Sequence, residues 1–233
     1  IFLMEPNKET DREPVQEQEK ETASQEIEPV PANEQDEASS KKSEPVLVNE
    51  HDLAFESSWS FWYSTKPKTS TDETYESKLR KLGSFNTLSG FQNIYAHIVR
   101  PCDLPKDSNY SVFRDDLKPM WETFPSGGCW NLHIVKNNKK LSQLWEQLLL
   151  ATLGELFEEP AVIGIMVSKR SKEDVLSVWI KSSSKNIRFN VGEKFKEVFG
   201  SPELALPIEY KDHRSSIKDR STYHNGKFYV ASQ

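Results

Sequence analysis

Trp121 is followed directly by Glu122 in the run Lys118-Pro119-Met120-Trp121-Glu122, and this pair is suited to binding chemistry rather than bond breaking. A broad π face beside a carboxylate can stack on a flat, cationic heterocycle and accept hydrogen bonds from its edge, which is how a methylated purine would be held. Pro119, Pro125, Gly127 and Gly128 bracket the pair, so it reads as a loop that presents the ring. A rim tryptophan that merely covers a sheet satisfies the same pattern. Stacking requires a second plate, and Tyr75, in the polar segment after Trp62, is a candidate. Arg170 and Lys172, at a charged hairpin tip, would serve phosphates if that tip lies near Trp121: Arg by a forked contact, Lys as a point charge. Otherwise they are solvated tip residues. Trp179 belongs to the core on one face of its strand or lines the site.

Catalytic readings find little support. The chain has no G-x-G-x-x-G, P-loop, G-x-S-x-G or C-x-x-C, and its five histidines, at 51, 97, 133, 213 and 224, lack metal-ligand spacing. Glu158-Glu159 precedes Pro160 at a helix end, where paired carboxylates are normally solvated. Two cysteines, Cys102 and Cys129, form no disulfide framework and suit reduced thiols in a cytosolic protein. The expectation is a protein that is not an enzyme, with no cofactor and no metal.

The elements that must position these groups follow from patterning. Trp59-Ser60-Phe61-Trp62-Tyr63 reads as a strand, and Thr87 caps a helix with the apolar stripe Leu88, Phe91, Ile94, Tyr95 and Ile98, closed by Pro101. A short strand is expected over 110–113, and in Cys129–Val135 period-two alternation sets Trp130, Leu132 and Ile134 on one face. Residues 141–157 have the spacing of an amphipathic helix with Trp145 in the core. Strands over 162–168 and 175–180 make the hairpin that carries Arg170. Asn190-Val191-Gly192-Glu193 resembles a capping box opening a third helix, and strands near 204–210 and 227–230 flank a late polar loop. The fold class is α+β: a mainly antiparallel sheet with three helices on one face and the other face partly open.

Residues 1–50 differ in kind. They contain one aromatic, Phe2, and a net charge of −9, which leaves residues 51–233 at about +3 out of a total of −6. Such a stretch cannot bury enough apolar area to offset its ordering entropy, so 1–50 is expected to be a disordered acidic tail and 51–233 the folded domain. The mildly basic domain suits a ligand with a few phosphates, not a long nucleic-acid track. No apolar run approaches a membrane span, and the opening apolar residues are too short for a signal segment.

Taken together, several motifs in order resemble the eukaryotic translation initiation factor 4E family, proteins that bind the 7-methylguanosine cap of messenger RNA. They are His51-Asp52-Leu53 with Trp59–Tyr63, Phe113–Glu122, Gly127-Gly128-Cys129-Trp130, Trp145, Gly154-Glu155-Leu156-Phe157, Arg170 with Lys172, and Val178-Trp179. The resemblance implies a curved sheet backed by three helices on its convex face, with the cap in the concave face. It further implies stacking by Tyr75 and Trp121, Glu122 at the guanine edge, Trp179 on the N7-methyl group, and Arg170 and Lys172 at the phosphates. Its partner-binding face corresponds to His51, Leu53, Leu88, Gln92, Glu146 and Gln147, where a scaffold initiation factor or a repressor would dock.

Departures from the family pattern are specific. Tyr75 stands where the second plate is usually Trp, Val175 replaces a third phosphate-hairpin cation, and Cys129 replaces an Arg. On the partner face a hallmark Trp aligns with Gln92, a Leu-Glu pair with Glu146-Gln147, and a Pro with Asp52. The expected function is therefore cap binding in support of mRNA recruitment, by a monomer in the cytoplasm with the nucleus as a second compartment. Two alternatives stay open: a cap-binding repressor with a divergent partner face, and a carbohydrate-binding β module that stacks a sugar on Trp121. A cap-processing hydrolase lacks a visible carboxylate cluster for metal.

Overall fold

The computed structural model describes residues 52–66, 74–136, 140–200, 208–222 and 226–228. The expected tail over 1–50, His51, His224, and the strand expectation for 204–207 and 229–230 lie outside the described residues. Among the described residues, eight strands, β1 (Ala54–Thr65), β2 (Leu79–Thr87), β3 (Ser108–Arg114), β4 (Gly128–Val135), β5 (Val162–Lys169), β6 (Glu173–Ile180), β7 (Ile208–Asp212) and β8 (Lys227–Phe228), form one sheet. Its order is β2-β1-β3-β5-β6-β4-β7-β8, and every pairing is antiparallel. Register shifts between Phe61 and Trp62 and between Val162 and Gly164 accompany the curvature, since an extra residue on one strand bends it.

Three helices cover one face: α1 (Leu88–Tyr95), α2 (Leu141–Leu153) and α3 (Lys185–Val198). The Thr87 side chain caps α1 by accepting from the Gly90 N–H at 3.2 Å. Phe91, Leu144, Trp145, Leu148, Val191 and Phe195 meet Trp59, Phe61, Tyr110, Val112, Trp130, Leu132 and Ile134 from the sheet in one core. The Trp130 indole donates to the Arg188 carbonyl at 3.0 Å, pinning α3 to β4. Gly192 permits this approach, because a Cβ there would sit 2.6 Å from the Trp130 ring.

Three expectations need correction. The third helix begins at Lys185 after Ser184, not at Asn190, because Ile187 extends the buried stripe of Val191 and Phe195 by one further turn. β2 was not anticipated: only Phe85 along it is buried, so this polar edge strand shows no apolar alternation. A fourth helix, α4 (His213–Asp219), occupies what read as a polar loop, and it packs on the opposite side of the sheet from α1 to α3, with the His213 ring 4.5 Å from Trp179.

Candidate functional site

The face without α1 to α3 has its own apolar floor, made by Trp62, Phe113, Cys129, Ile163, Met166 and Trp179, with Leu79, Leu117, Trp121 and Phe124 packed against it. Strand alternation assigns these residues. In β1, Trp59 and Phe61 point to the helices and Trp62 to the floor; in β6, Val178 and Ile180 face the helices and Trp179 the floor. The shift at Val162/Gly164 lets Ile163 join Met166 on this side. Gly164 is required beneath Phe113, whose ring atoms would lie 2.5 Å from any Cβ added there. Phe113 in turn meets Trp179 edge-on at 5.3 Å.

Trp121 and Glu122 begin a single 3-10 turn, Trp121–Thr123, in which the Phe124 N–H donates to the Trp121 carbonyl at 3.1 Å and the Gly127 N–H to the Phe124 carbonyl at 2.9 Å. Trp121 is half-buried on the floor while Glu122 is exposed. Upstream, Lys81 and Ser60 bond the Asp116 side chain and hold its carboxyl below the usual range, which fixes the point where this loop leaves β3. Downstream, the buried His213 ring donates from Nδ1 to the Phe124 carbonyl at 2.8 Å, and its backbone N–H donates to the Gly127 carbonyl at 3.0 Å. Burial pushes the His213 pKa down to about 4, so the ring is neutral and Nε2 is a bare acceptor.

Tyr75 precedes a single 3-10 turn, Glu76–Lys78, that leads into β2, and is brought beside the Trp121 loop. The adjacent Glu76 accepts from the Lys118 ammonium at 2.5 Å, which ties the segment bearing Tyr75 to the run leading into Trp121. Burial raises the Tyr75 phenol above its usual range; Ser64 and the charge of Arg170 oppose the shift, and the charge of Glu122 adds to it. Tyr75, Glu122 and Arg170 therefore share one electrostatic neighbourhood. Arg170 is half-buried: its Nη1 donates to the carbonyls of Ser108 at 3.2 Å and Lys169 at 3.0 Å, and its Nη2 to Asn109 Oδ1 at 2.6 Å. Lys172 is exposed at the hairpin tip.

Two positions that depart from the resembled pattern are closed off. Val175 and Cys129 are both fully buried, and burial pushes the Cys129 thiol up to about 12, leaving it protonated and inert. Among the described residues no His, Cys, Asp and Glu cluster is arranged to hold a metal ion, and no helix is long and apolar enough to cross a membrane.

On the helix side, Leu53 is 69% exposed, Leu88 half-buried and Gln92 exposed, beside Glu146 and the exposed Gln147 on α2. Polar pairs share this surface with the exposed Leu53 and Leu150. Glu146 accepts from the Tyr95 hydroxyl at 3.1 Å and from Arg100 Nη1 at 2.5 Å, with the guanidinium 5.0 Å over the Tyr95 ring. Asp52 accepts from the Ser89 N–H at 3.0 Å and from its hydroxyl, fastening the strand entry to the start of α1.

Sequence reasoning passed over Trp62, Phe124, His213, Ser64 and Asn109. Trp62 and Asn109 were recoverable from period-two alternation, since each is out of phase with a core-facing neighbour, Phe61 or Tyr110. His213 gave no signal because its helix looked like a loop.

Comparison with known proteins bears on this geometry. Residues 54–228 match the family model described as eukaryotic initiation factor 4E. The chain is 31% identical over 169 residues to the eukaryotic translation initiation factor NCBP of Oryza sativa subsp. japonica, covering 70% of this chain and 73% of that one. Among solved structures it is similar to Ascaris suum eIF4E-3 with m7G cap, with TM-score 0.67, 27% identity, and coverage of 78% of this chain and 99% of that one. It is also similar to C. elegans eIF4E-3 in complex with the 4E-binding protein Mextli and cap analog, with TM-score 0.65, 26% identity, and coverage of 72% and 96%.

Proposed function

The chain belongs to the eukaryotic initiation factor 4E family, and from that premise we propose that it binds the 7-methylguanosine cap of mRNA on its concave face, in support of translation initiation. The observation that carries this reading is that one sheet face gathers a half-buried tryptophan on its apolar floor, the neighbouring carboxylate, and a tyrosine linked through Ser64 and Asn109 to an anchored arginine.

Methylation at N7 makes guanine cationic. Trp121 and Tyr75 are the two stacking plates, and Glu122 accepts from the guanine edge while balancing the positive charge. Trp179, enclosed by Phe113 and His213 and only 1% exposed, is the part of the floor that lies beneath the N7-methyl group, which reaches it only if that cover shifts. Arg170 and Lys172 take the phosphates. This is binding without bond making or breaking. Stacking contributes roughly 1–3 kcal/mol per base and a hydrogen bond to a charged group about 1.5–3 kcal/mol, so both are needed for useful affinity. Two cations imply a shallow salt dependence, with a log–log slope of about −1 to −2.

The chain acts as a monomer in the cytoplasm, with the nucleus as a second compartment, and a scaffold initiation factor or a repressor docks on the helix side. One observation favours a repressor role or an altered partner: Glu146 and Arg100 close over Tyr95 beside Gln92, where the resembled pattern calls for apolar anchors. Titration with 7-methyl-GTP and GTP, followed by tryptophan fluorescence, tests the cap reading. A strong preference for the methylated nucleotide is expected, and equal affinities would refute it.

A further inference from the structure

Beneath the candidate site, four polar side chains, two on strands (Ser64 on β1 and Asn109 on β3) and two on connecting segments (Tyr75 and Arg170), form one continuous hydrogen-bonded line. The Tyr75 hydroxyl is 3.1 Å from Ser64 Oγ, Asn109 Nδ2 donates to Ser64 Oγ at 2.8 Å, and Arg170 Nη2 donates to Asn109 Oδ1 at 2.6 Å. The two middle members are sealed in the sheet, Ser64 at 1% and Asn109 at 3% exposure. They are cross-strand partners in the β1–β3 register, and Asn109 is in turn opposite Ser168 next to the phosphate hairpin.

The direction of the line is fixed chemically. A guanidinium can only donate, so the Asn109 carbonyl oxygen must face Arg170 and its amide nitrogen must face Ser64. A buried side-chain amide left half-paired is costly, so Asn109 is held from both ends and cannot rotate without losing one partner. By alternation Ser64 and Asn109 share the strand face of Trp62 and Phe113, in a stretch where Ser111 and Ser168 are also buried.

We propose that Ser64 and Asn109 are positioning residues that join the stacking plate Tyr75 to the phosphate cation Arg170, so that base stacking and phosphate binding are coupled in this chain. The proposal rests on the cap reading above. With the line intact, a base stacked on Tyr75 finds Arg170 already oriented for the phosphates. Tyr75 thereby acts through its hydroxyl as well as its ring.

The test measures affinities for 7-methylguanosine, 7-methyl-GMP and 7-methyl-GTP, and takes the gain on adding phosphates as its readout. Tyr75→Phe keeps the aromatic ring and removes the hydroxyl; it should reduce the phosphate gain about 5-fold, the equivalent of one ordinary hydrogen bond. Ser64→Ala removes the link between Tyr75 and Asn109 while the Asn109–Arg170 hydrogen bond stays, so it cuts the line while leaving the cation held. In that background Tyr75→Phe should no longer alter the phosphate gain. A Tyr75→Phe effect of equal size in both backgrounds, or one that scales all three ligands alike, overturns the coupling. Thermal unfolding of each variant separates general loosening from the predicted pattern, because loosening does not distinguish ligands by phosphate number. Failure of the cap reading itself would appear separately, as wild-type protein that does not prefer 7-methyl-GTP over GTP.

Discussion

The Lys118 ammonium and the Glu76 carboxylate, 2.5 Å apart, join the two chain segments that carry Trp121 and Tyr75. Lys118 and Glu76 are 49% and 55% exposed, so solvent screening keeps their net contribution to stability within about 0–1 kcal/mol. Their value is geometric. Lys118→Ala should leave the unfolding temperature nearly unchanged and weaken 7-methyl-GTP binding by a few-fold, with the loss shrinking as salt rises and the wild-type pair is itself screened. Titrations at low and high salt check this; a salt-independent loss would assign Lys118 a different role.

Trp121→Ala should lower affinity for 7-methyl-GTP by roughly 5- to 150-fold, the range of about 1–3 kcal/mol for one stacked base, with little change in fold because Trp121 is only half-buried. Trp145→Ala, by contrast, removes a ring with 0% exposure in the helix-side core and should destabilise by about 3–5 kcal/mol. Fluorescence titration and chemical denaturation separate the two. A Trp121→Ala protein that still prefers the methylated nucleotide contradicts the site.

Much of the framework was legible in the sequence because burial there has a period. Trp130, Leu132 and Ile134 alternate as expected and lie in the helix-side core, and Thr87 caps α1 through its side chain. β2 escaped because an edge strand needs charge more than apolar alternation, and Arg80, Lys81 and Ser84 provide polarity instead. The site was legible only in part. Trp121-Glu122 announces itself by residue type, whereas Ser64 and Asn109 matter because four residues far apart in sequence meet, and no local spacing encodes that.

On the helix side, Glu146→Leu should remove the acceptor shared by Tyr95 and Arg100 and enlarge the apolar surface around the exposed Leu150. Binding to a helical peptide with Tyr-x-x-x-x-Leu-apolar anchors should strengthen, since such grooves recognise apolar side chains. Pull-down with that peptide measures the change, and tighter binding by the wild-type chain than by the variant would show that the polar pairing itself is recognised. Cap affinity should stay unchanged, because these residues lie across the sheet from Trp121.

Acid should loosen the same pocket through His213. Its pKa is held down to about 4 chiefly by burial, against the opposing effects of the Phe124 hydrogen bond and the Asp212 charge. The unfolded chain, with an ordinary histidine near 6.5, binds a proton more readily than the folded one, so stability from this group is full above about pH 6.5 and falls as pH drops toward 4. The full span corresponds to roughly 3 kcal/mol. His133 has the opposite sign: Glu209 first, and Glu173, raise its pKa, so its contribution is present at acid pH and fades as pH rises through the raised value. A His213→Asn variant should be less stable at pH 7.5 but lose less between pH 6.5 and 4.5 in urea unfolding. Because the His213 ring holds the Phe124 carbonyl and packs on Trp179, preference for the methylated nucleotide should decline over the same window in the wild type. Parallel acid slopes for wild type and variant would remove His213 from this role.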